Sequence, residues 1–189
     1  GVLFCDHLGK LDRALEDFDR AIELDPQNAS GGQAKAHYNR GLVHKKKGNL
    51  EAALEDFARG VEIDPLLWEA FRERGLVRVG RRDLEAGIED FTRWIDLQPR
   101  DADAFYNRGN ARLVSRQFAA ALEDFDRAIE ISPRHPQAYY NRGFIRSVKK
   151  DYKGAIADYT RAIEINPRNA PAYFERARAR RKLGDQKGQ

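Results

Sequence analysis

The stretch ADAFYNRGNARLVSRQFAAALEDFDRAIEISPRH, Ala102 to His135, holds the key to the whole chain. Small and apolar residues fall at Ala104, Phe105, Gly109 and Leu113, then at Phe118, Ala121, Leu122, Phe125, Ala128 and Ile129. The second set keeps the i, i+3, i+4, i+7 spacing of an amphipathic helix, and the first keeps it more loosely. Between the two sets Ser115-Arg116-Gln117 breaks the pattern, and Pro133 stops the second helix cleanly. The stretch predicts a helical hairpin.

Working outward, the closing phrase AIEISP has near copies along the chain: AIELDP, GVEIDP, WIDLQP and AIEINP. Their prolines are Pro26, Pro65, Pro99, Pro133 and Pro167, at intervals of 39, 34, 34 and 34 residues. Self-similarity at such a period is the mark of a solenoid of stacked supersecondary units. The first interval holds five extra residues, and Ala29-Ser30-Gly31-Gly32-Gln33 is the natural loop for them because small and polar residues between periodic segments read as loop. Lys47-Gly48-Asn49 and Lys150-Asp151 are counterparts of the break at Ser115-Arg116-Gln117.

The tetrapeptide YNRG recurs at 38–41, 106–109 and 140–143, inside helical segments. A helix-interior glycine is roughly 1 kcal/mol worse than alanine, so a recurrent one needs a reason. Gly41, Gly75, Gly109, Gly143 and Ala177 repeat in register in the first helix. Ala53, Gly87, Ala121 and Ala155, then Gly60, Ala128 and Ala162, repeat in the second, with Phe57, Phe91, Phe125 and Tyr159 between them. Small opposite large lets two helices approach to the short end of the usual separation of about 8–10 Å. The glycines are therefore expected to be packing notches.

With its aromatic, small residue, second-helix alanines and closing proline at these offsets, the pattern resembles the tetratricopeptide repeat (TPR) family. The likeness covers essentially the whole chain as one array: a partial unit at 1–28 that starts in mid-helix, the insertion loop 29–33, full units 34–67, 68–101, 102–135 and 136–169, and a terminal helix and tail at 170–189. The fold this implies is all-α, a right-handed superhelical solenoid of antiparallel helix hairpins. Trp94, in place of a small second-helix residue, and His37, in place of the aromatic heading the first full unit, depart from the pattern. Less regular packing is expected in those two units.

Composition narrows the classes of function. The 34 basic and 30 acidic residues, a formal charge of +4, describe a mixed surface rather than the basic stripe that a phosphate backbone demands, so nucleic acid is disfavoured. No apolar run approaches the ~20 residues of a membrane-spanning helix, and the chain reads as a soluble globular protein. A single Cys5 cannot make an internal disulfide or a cysteine zinc site, which leaves the compartment open and favours the cytoplasm. The chain lacks Met and opens on Gly1, which reads as a fragment or processed product.

Catalysis, cofactors and metals are not expected. No phosphate-binding glycine loop, HExxH or CxxC occurs, and the few serines have no strand-to-helix elbow to sit in. His37 and His44, seven residues apart, are separated by roughly 10.5 Å of helix rise, too far for one metal ion. His7 and His135 lack evident partners. Asn28-Ala29-Ser30 matches a glycosylation sequon but suits a turn equally well. Arg40, Arg74, Arg108, Arg142 and Arg176 form a ladder beside Asp17, Asp56, Asp90, Asp124 and Asp158, with Arg78, Arg112, Arg146 and Arg180 one turn on. A feature that repeats identically in every unit is read as structure, each arginine tying its hairpin to an aspartate.

Resemblance to the family implies that the first helices line a concave binding groove, so the expected function is a non-enzymatic scaffold for a protein or peptide partner. Carried over slot by slot, the groove residues are Tyr38, Lys45, Arg72, Leu76, Tyr106, Asn110, Leu113, Tyr140, Asn141, Phe144, Phe174 and Arg178. Tyr38, Tyr106, Tyr140 and Phe174 form an aromatic row suited to docking a peptide, or else they cover the next unit's first helix; both readings stand. One subset of the family clamps the carboxy-terminal carboxylate of chaperones with a lysine followed four residues later by an asparagine. Here those positions are Tyr38/Leu42, Arg72/Leu76, Tyr106/Asn110 and Tyr140/Phe144, which disfavours such a clamp. Two alternatives accompany the scaffold reading: self-association into a homo-oligomer, and contact of the basic carboxy end (Arg168, Arg176, Arg178, Arg180, Arg181, Lys182 and Lys187) with RNA or an acidic partner.

Overall fold

A computed structural model describes residues 2–26, 28 and 31–187, with side chains described for 9–26, 28 and 31–184. The described residues form ten helices and no strand: α1 (Val2–Leu24), α2 (Gln33–Lys47), α3 (Leu50–Ile63), α4 (Trp68–Gly80), α5 (Leu84–Leu97), α6 (Ala102–Val114), α7 (Phe118–Ile131), α8 (Pro136–Val148), α9 (Tyr152–Ile165) and α10 (Ala170–Lys187). They group into two compact units, Gly1–Gln98 with α1 to α5 and Pro99–Gln189 with α6 to α10. In the first, α2/α3 and α4/α5 are hairpins, α1 packs on α2, and α3 packs on α4. In the second, α6/α7 and α8/α9 are hairpins, α7 packs on α8, and α10 packs on α9.

The notches work as the small-opposite-large pattern requires. A Cβ on Gly41 would lie 2.7 Å from the Phe57 ring, on Gly75 2.7 Å from Phe91, on Gly109 2.8 Å from Phe125 and on Gly143 3.0 Å from Tyr159. Those four rings are buried, and Ala53, Ala121 and Ala155 are buried beside them. Any side chain at the notch would push the two helices of the hairpin apart.

Turns between paired helices share one chemistry. Gly48 caps α2 in the left-handed region at φ 83°, with the Asn49 N–H donating to the His44 carbonyl. Arg82, Arg116 and Lys150 stand at the equivalent positions at φ 69°, 60° and 64°, and the following residue again donates back to Arg78, Arg112 or Arg146. Three hairpins thus hold a side-chain-bearing residue where glycine is the unstrained choice.

Several expectations shift. Gln33, assigned above to the insertion loop, begins α2, because its backbone N–H is satisfied by the Asn28 side chain and its amide donates to the Asp25 carbonyl. Ala29 and Ser30 and the side chains of Cys5, His7 and Lys187 lie outside what is described. Trp94 is 2 % exposed and stacks on Trp68 at 5.9 Å and 15°, since residue 68 is itself large where other units carry alanine or proline. His37 is also buried, its Nδ1 3.0 Å from Asp56 Oδ1. Both departures are absorbed into the packing by a compensating partner.

Candidate peptide-binding surface

Tying the hairpins uses most of the arginine ladder. Arg74 Nη2 and Arg78 Nη1 donate to opposite oxygens of Asp90 at 2.6 and 2.9 Å. Arg108 and Arg112 grip Asp124 in the same way, and Arg142 and Arg146 grip Asp158. All three aspartates are buried, so each clamp neutralises a carboxylate that burial alone would leave costly. At Asp90 burial still pushes the carboxyl above its ordinary range, against the pull of Arg74 and Arg78. In the α2/α3 hairpin the second arginine is replaced by His44, so Asp56 is held by Arg40 and His37, with His44 Nε2 3.9 Å away. Arg176 instead donates to Thr160 Oγ1.

What remains for binding is the set of first-helix side chains outside these clamps. In the first unit Lys45, Arg72 and Tyr38 converge around Glu73. The Lys45 ammonium of α2 donates to Glu73 Oε2 at 2.6 Å, and Arg72 of α4 donates to Oε1 at 3.0 Å through Nε. The Arg72 guanidinium also lies over Trp68 at 5.3 Å and Trp94 at 5.9 Å, a stacked arrangement that fixes its plane. Glu73 itself is only 7 % exposed. Burial raises the Tyr38 hydroxyl's pKa, with Arg72 acting in the opposite sense. Leu76 is half-buried on α4.

In the second unit Asn141 of α8 donates through Nδ2 to Asn110 Oδ1 of α6, joining two first helices directly. Tyr106 packs on Phe125 and, at 4.6 Å, on the His135 ring. His135 does have partners: its Nδ1 accepts the Ala138 N–H, and its Nε2 is 3.3 Å from Asp103 Oδ1. As N-cap of α8 it satisfies an otherwise orphaned donor, a role visible in sequence only from the proline that follows it. Leu113 is half-buried on α6. Phe144 is 38 % and Phe174 64 % exposed, with the Arg178 guanidinium over the Phe174 ring and bonded to Glu175. Phe144 and Arg178 border one cavity between α8 and α10.

The aromatic row is less exposed than its slots suggest. Tyr38 lies between the Ala34–Leu67–Ala70 and Ala53–Phe57–Val77 clusters, and Tyr140 between Ala155–Tyr159–Ala179 and Ala162–Ile163–Ala172. Tyr38, Tyr106 and Tyr140 are half-buried, each tilted against the large ring of its own second helix at 5.7–6.1 Å; of the series only Phe174 is freely exposed. Rings with one face on the core leave mainly an edge and a hydroxyl for a partner. Glu73 and Glu175, not anticipated from sequence, share the slot that holds Asn39, Asn107 and Asn141 elsewhere; acids among asparagines were the available signal.

The tetratricopeptide repeat model matches residues 34–65, 102–135 and 136–169, more than half of the chain; a TPR repeat model matches 7–48 and a further tetratricopeptide repeat model 158–188. The chain belongs to the tetratricopeptide repeat family and is an all-α TPR solenoid. Among curated protein sequences none matches it. Among solved structures it is similar to the MamA protein, at 23 % identity and a TM-score of 0.78 over 82 % of this chain and 84 % of that one. It is similar to YrrB, described as a TPR protein with an unusual peptide-binding site, at 25 % identity and 0.77 over 92 % and 87 %. It is also similar to the first TPR of Spaghetti (RPAP3) bound to the HSP90 peptide SRMEEVD, at 25 % identity and 0.61 over 62 % and 93 %. Among the described residues no helix is long and apolar enough to cross a membrane.

Proposed function

We propose that the chain is a non-enzymatic scaffold whose first helices take up a peptide segment of a partner protein. The observation that carries this reading is that consecutive first helices in each unit meet through polar side chains outside the buried Arg–Asp clamps: Lys45 with Glu73, and Asn110 with Asn141. Hydrogen-bonding groups held in line on rigid helices, beside apolar side chains such as Leu76, Leu113 and Phe144, suit an extended backbone with intermittent apolar side chains. YrrB, described as having an unusual peptide-binding site, and the RPAP3 domain, described as bound to a peptide, support the same reading.

Affinity capture with the wild-type chain and with Asn110→Ala/Asn141→Ala tests it. Removing both members of the pair leaves no orphaned donor, so the variant is expected to melt as wild type and to lose most of the captured partner. Equal capture by the two proteins would contradict the proposal. A second reading, self-association, rests on Tyr173 and Phe174 of α10, two large rings 44 % and 64 % exposed. Light scattering that shows a concentration-dependent mass, abolished by Phe174→Ser, would favour it.

A further inference from the structure

The decapeptide ALEDFDRAIE occurs twice, at 14–23 in α1 and at 121–130 in α7. In α7 Ala121, Phe125 and Ala128 are fully buried, and Asp124 is 2 % exposed in the grip of Arg108 and Arg112. In α1 Asp17 and Ala21 are exposed, Ala14 and Phe18 are half-buried, and no described residue bonds the Asp17 carboxylate. The residues are the same, so the difference lies in their neighbours. α1 packs on α2 as α7 packs on α8, but among the described residues α7 alone of the two is also paired with a first helix, α6, in a hairpin.

The converse holds for α10, which packs on α9 as α8 packs on α7. It carries the first-helix set in register: Tyr173 for the ring of Phe105, Ala177 for the notch of Gly109, and Arg176 and Arg180 for the clamp of Arg108 and Arg112. Tyr173, Ala177 and Arg180 are exposed. Arg176 Nη1 donates to Thr160 of α9, as Arg142 Nη1 donates to Asp126 of α7. Arg142 then holds Asp158 through Nε and Nη2, whereas those groups of Arg176 meet no described acceptor, and Arg180 bonds no described residue.

We infer that α1 of one copy docks on α10 of a second copy and completes a hairpin there, with Arg176 and Arg180 gripping Asp17 and the Phe18 ring seated at Ala177. The inference rests on the self-association reading and names its surface. The pairing is one the fold already makes, since α6, with the same residue types in register, holds this same decapeptide in α7. Charge selects it as well: α10 presents two guanidinium groups with no carboxylate between them, and α1 presents the carboxylate. Ala177 loosens the contact. A Cβ on Gly109 would lie 2.8 Å from the Phe125 ring, so the alanine methyl holds Phe18 further out than glycine would. The two faces differ, so the interface is heterologous and copies add head to tail.

Light scattering of the full chain over a wide range of concentration tests it, with substitutions at exposed positions. The wild-type mass is expected to climb past that of a pair. Asp17→Lys, on the α1 face, is expected to weaken association about a hundredfold, as for loss of one member of a buried charge pair. Ala177→Leu, on the α10 face, is expected to abolish it by filling the notch. Each variant keeps the other face intact, so an equimolar mixture of the two is expected to stop at a one-to-one pair. Ala177→Gly deepens the notch and is expected to tighten association about fivefold, although glycine weakens a helix. A constant wild-type mass overturns the inference together with the self-association reading. If the mass climbs and Phe174→Ser abolishes the climb while Asp17→Lys and Ala177→Leu leave it, self-association stands and the α1–α10 interface falls. A mixture of the two variants that stays monomeric overturns it too.

Discussion

Glu73 in the first half of the chain and Glu175 in the second occupy the same slot of a first helix, yet one is sealed and the other borders a cavity. Sealing comes from a single side chain, Lys45, whose ammonium reaches Glu73 from the preceding first helix, with Arg72 lying over two tryptophans on the other side. At Ser147, which holds the lysine slot on α8, that reach is missing, and Glu175 is paired with Arg178 of its own helix instead. The difference teaches that the repeated scaffold fixes where side chains stand, while one non-repeated residue decides whether neighbouring first helices close on each other or leave a cavity between them.

What the two halves share should fail alike. Tyr106→Ala with Tyr140→Ala removes two half-buried rings from the second unit and is expected to cost about 4 kcal/mol, about 2 each, seen as a large fall in the urea midpoint. An unchanged midpoint would return these rings to a purely binding role. Gly75→Leu and Gly143→Leu, one in each half, should each cost about 3 kcal/mol, because the added side chain meets Phe91 or Tyr159. Tolerance of either would break the equivalence of the notches.

What the halves do not share should separate them. Lys45→Ser makes the first half resemble the second and leaves the buried Glu73 with Arg72 alone; a loss of about 2 kcal/mol is expected. Ser147→Lys, its mirror image, should leave the midpoint where it is. The smallest effect is a gain. Arg116→Gly places glycine at a left-handed turn position, as Gly48 already does, and should raise stability by about 1 kcal/mol. A loss there would mean that the arginine side chain, not the backbone, holds the turn.

Fold and site were not equally legible in the sequence. Period, hairpins and notches could be read because each is enforced once per unit, and Gly109 beneath Phe125 repeats what Gly41 does beneath Phe57. The arginine clamps were legible for the same reason. The site was read less well because its features do not repeat. Slot position alone placed Tyr38, Tyr106 and Tyr140 in the groove but could not tell how much of each ring its own second helix consumes. Nothing in the spacing announced that Trp94 would find Trp68, or that His135 would cap α8 while packing on Tyr106. Those outcomes depend on pairs of unusual residues meeting across helices, which only the packed structure brings together.

The most direct test is the urea midpoint of Lys45→Ser set beside that of Ser147→Lys. The account predicts that Lys45→Ser lowers stability by about 2 kcal/mol while Ser147→Lys leaves the midpoint unchanged. Equal midpoints for the two variants, or a loss confined to Ser147→Lys, would contradict it.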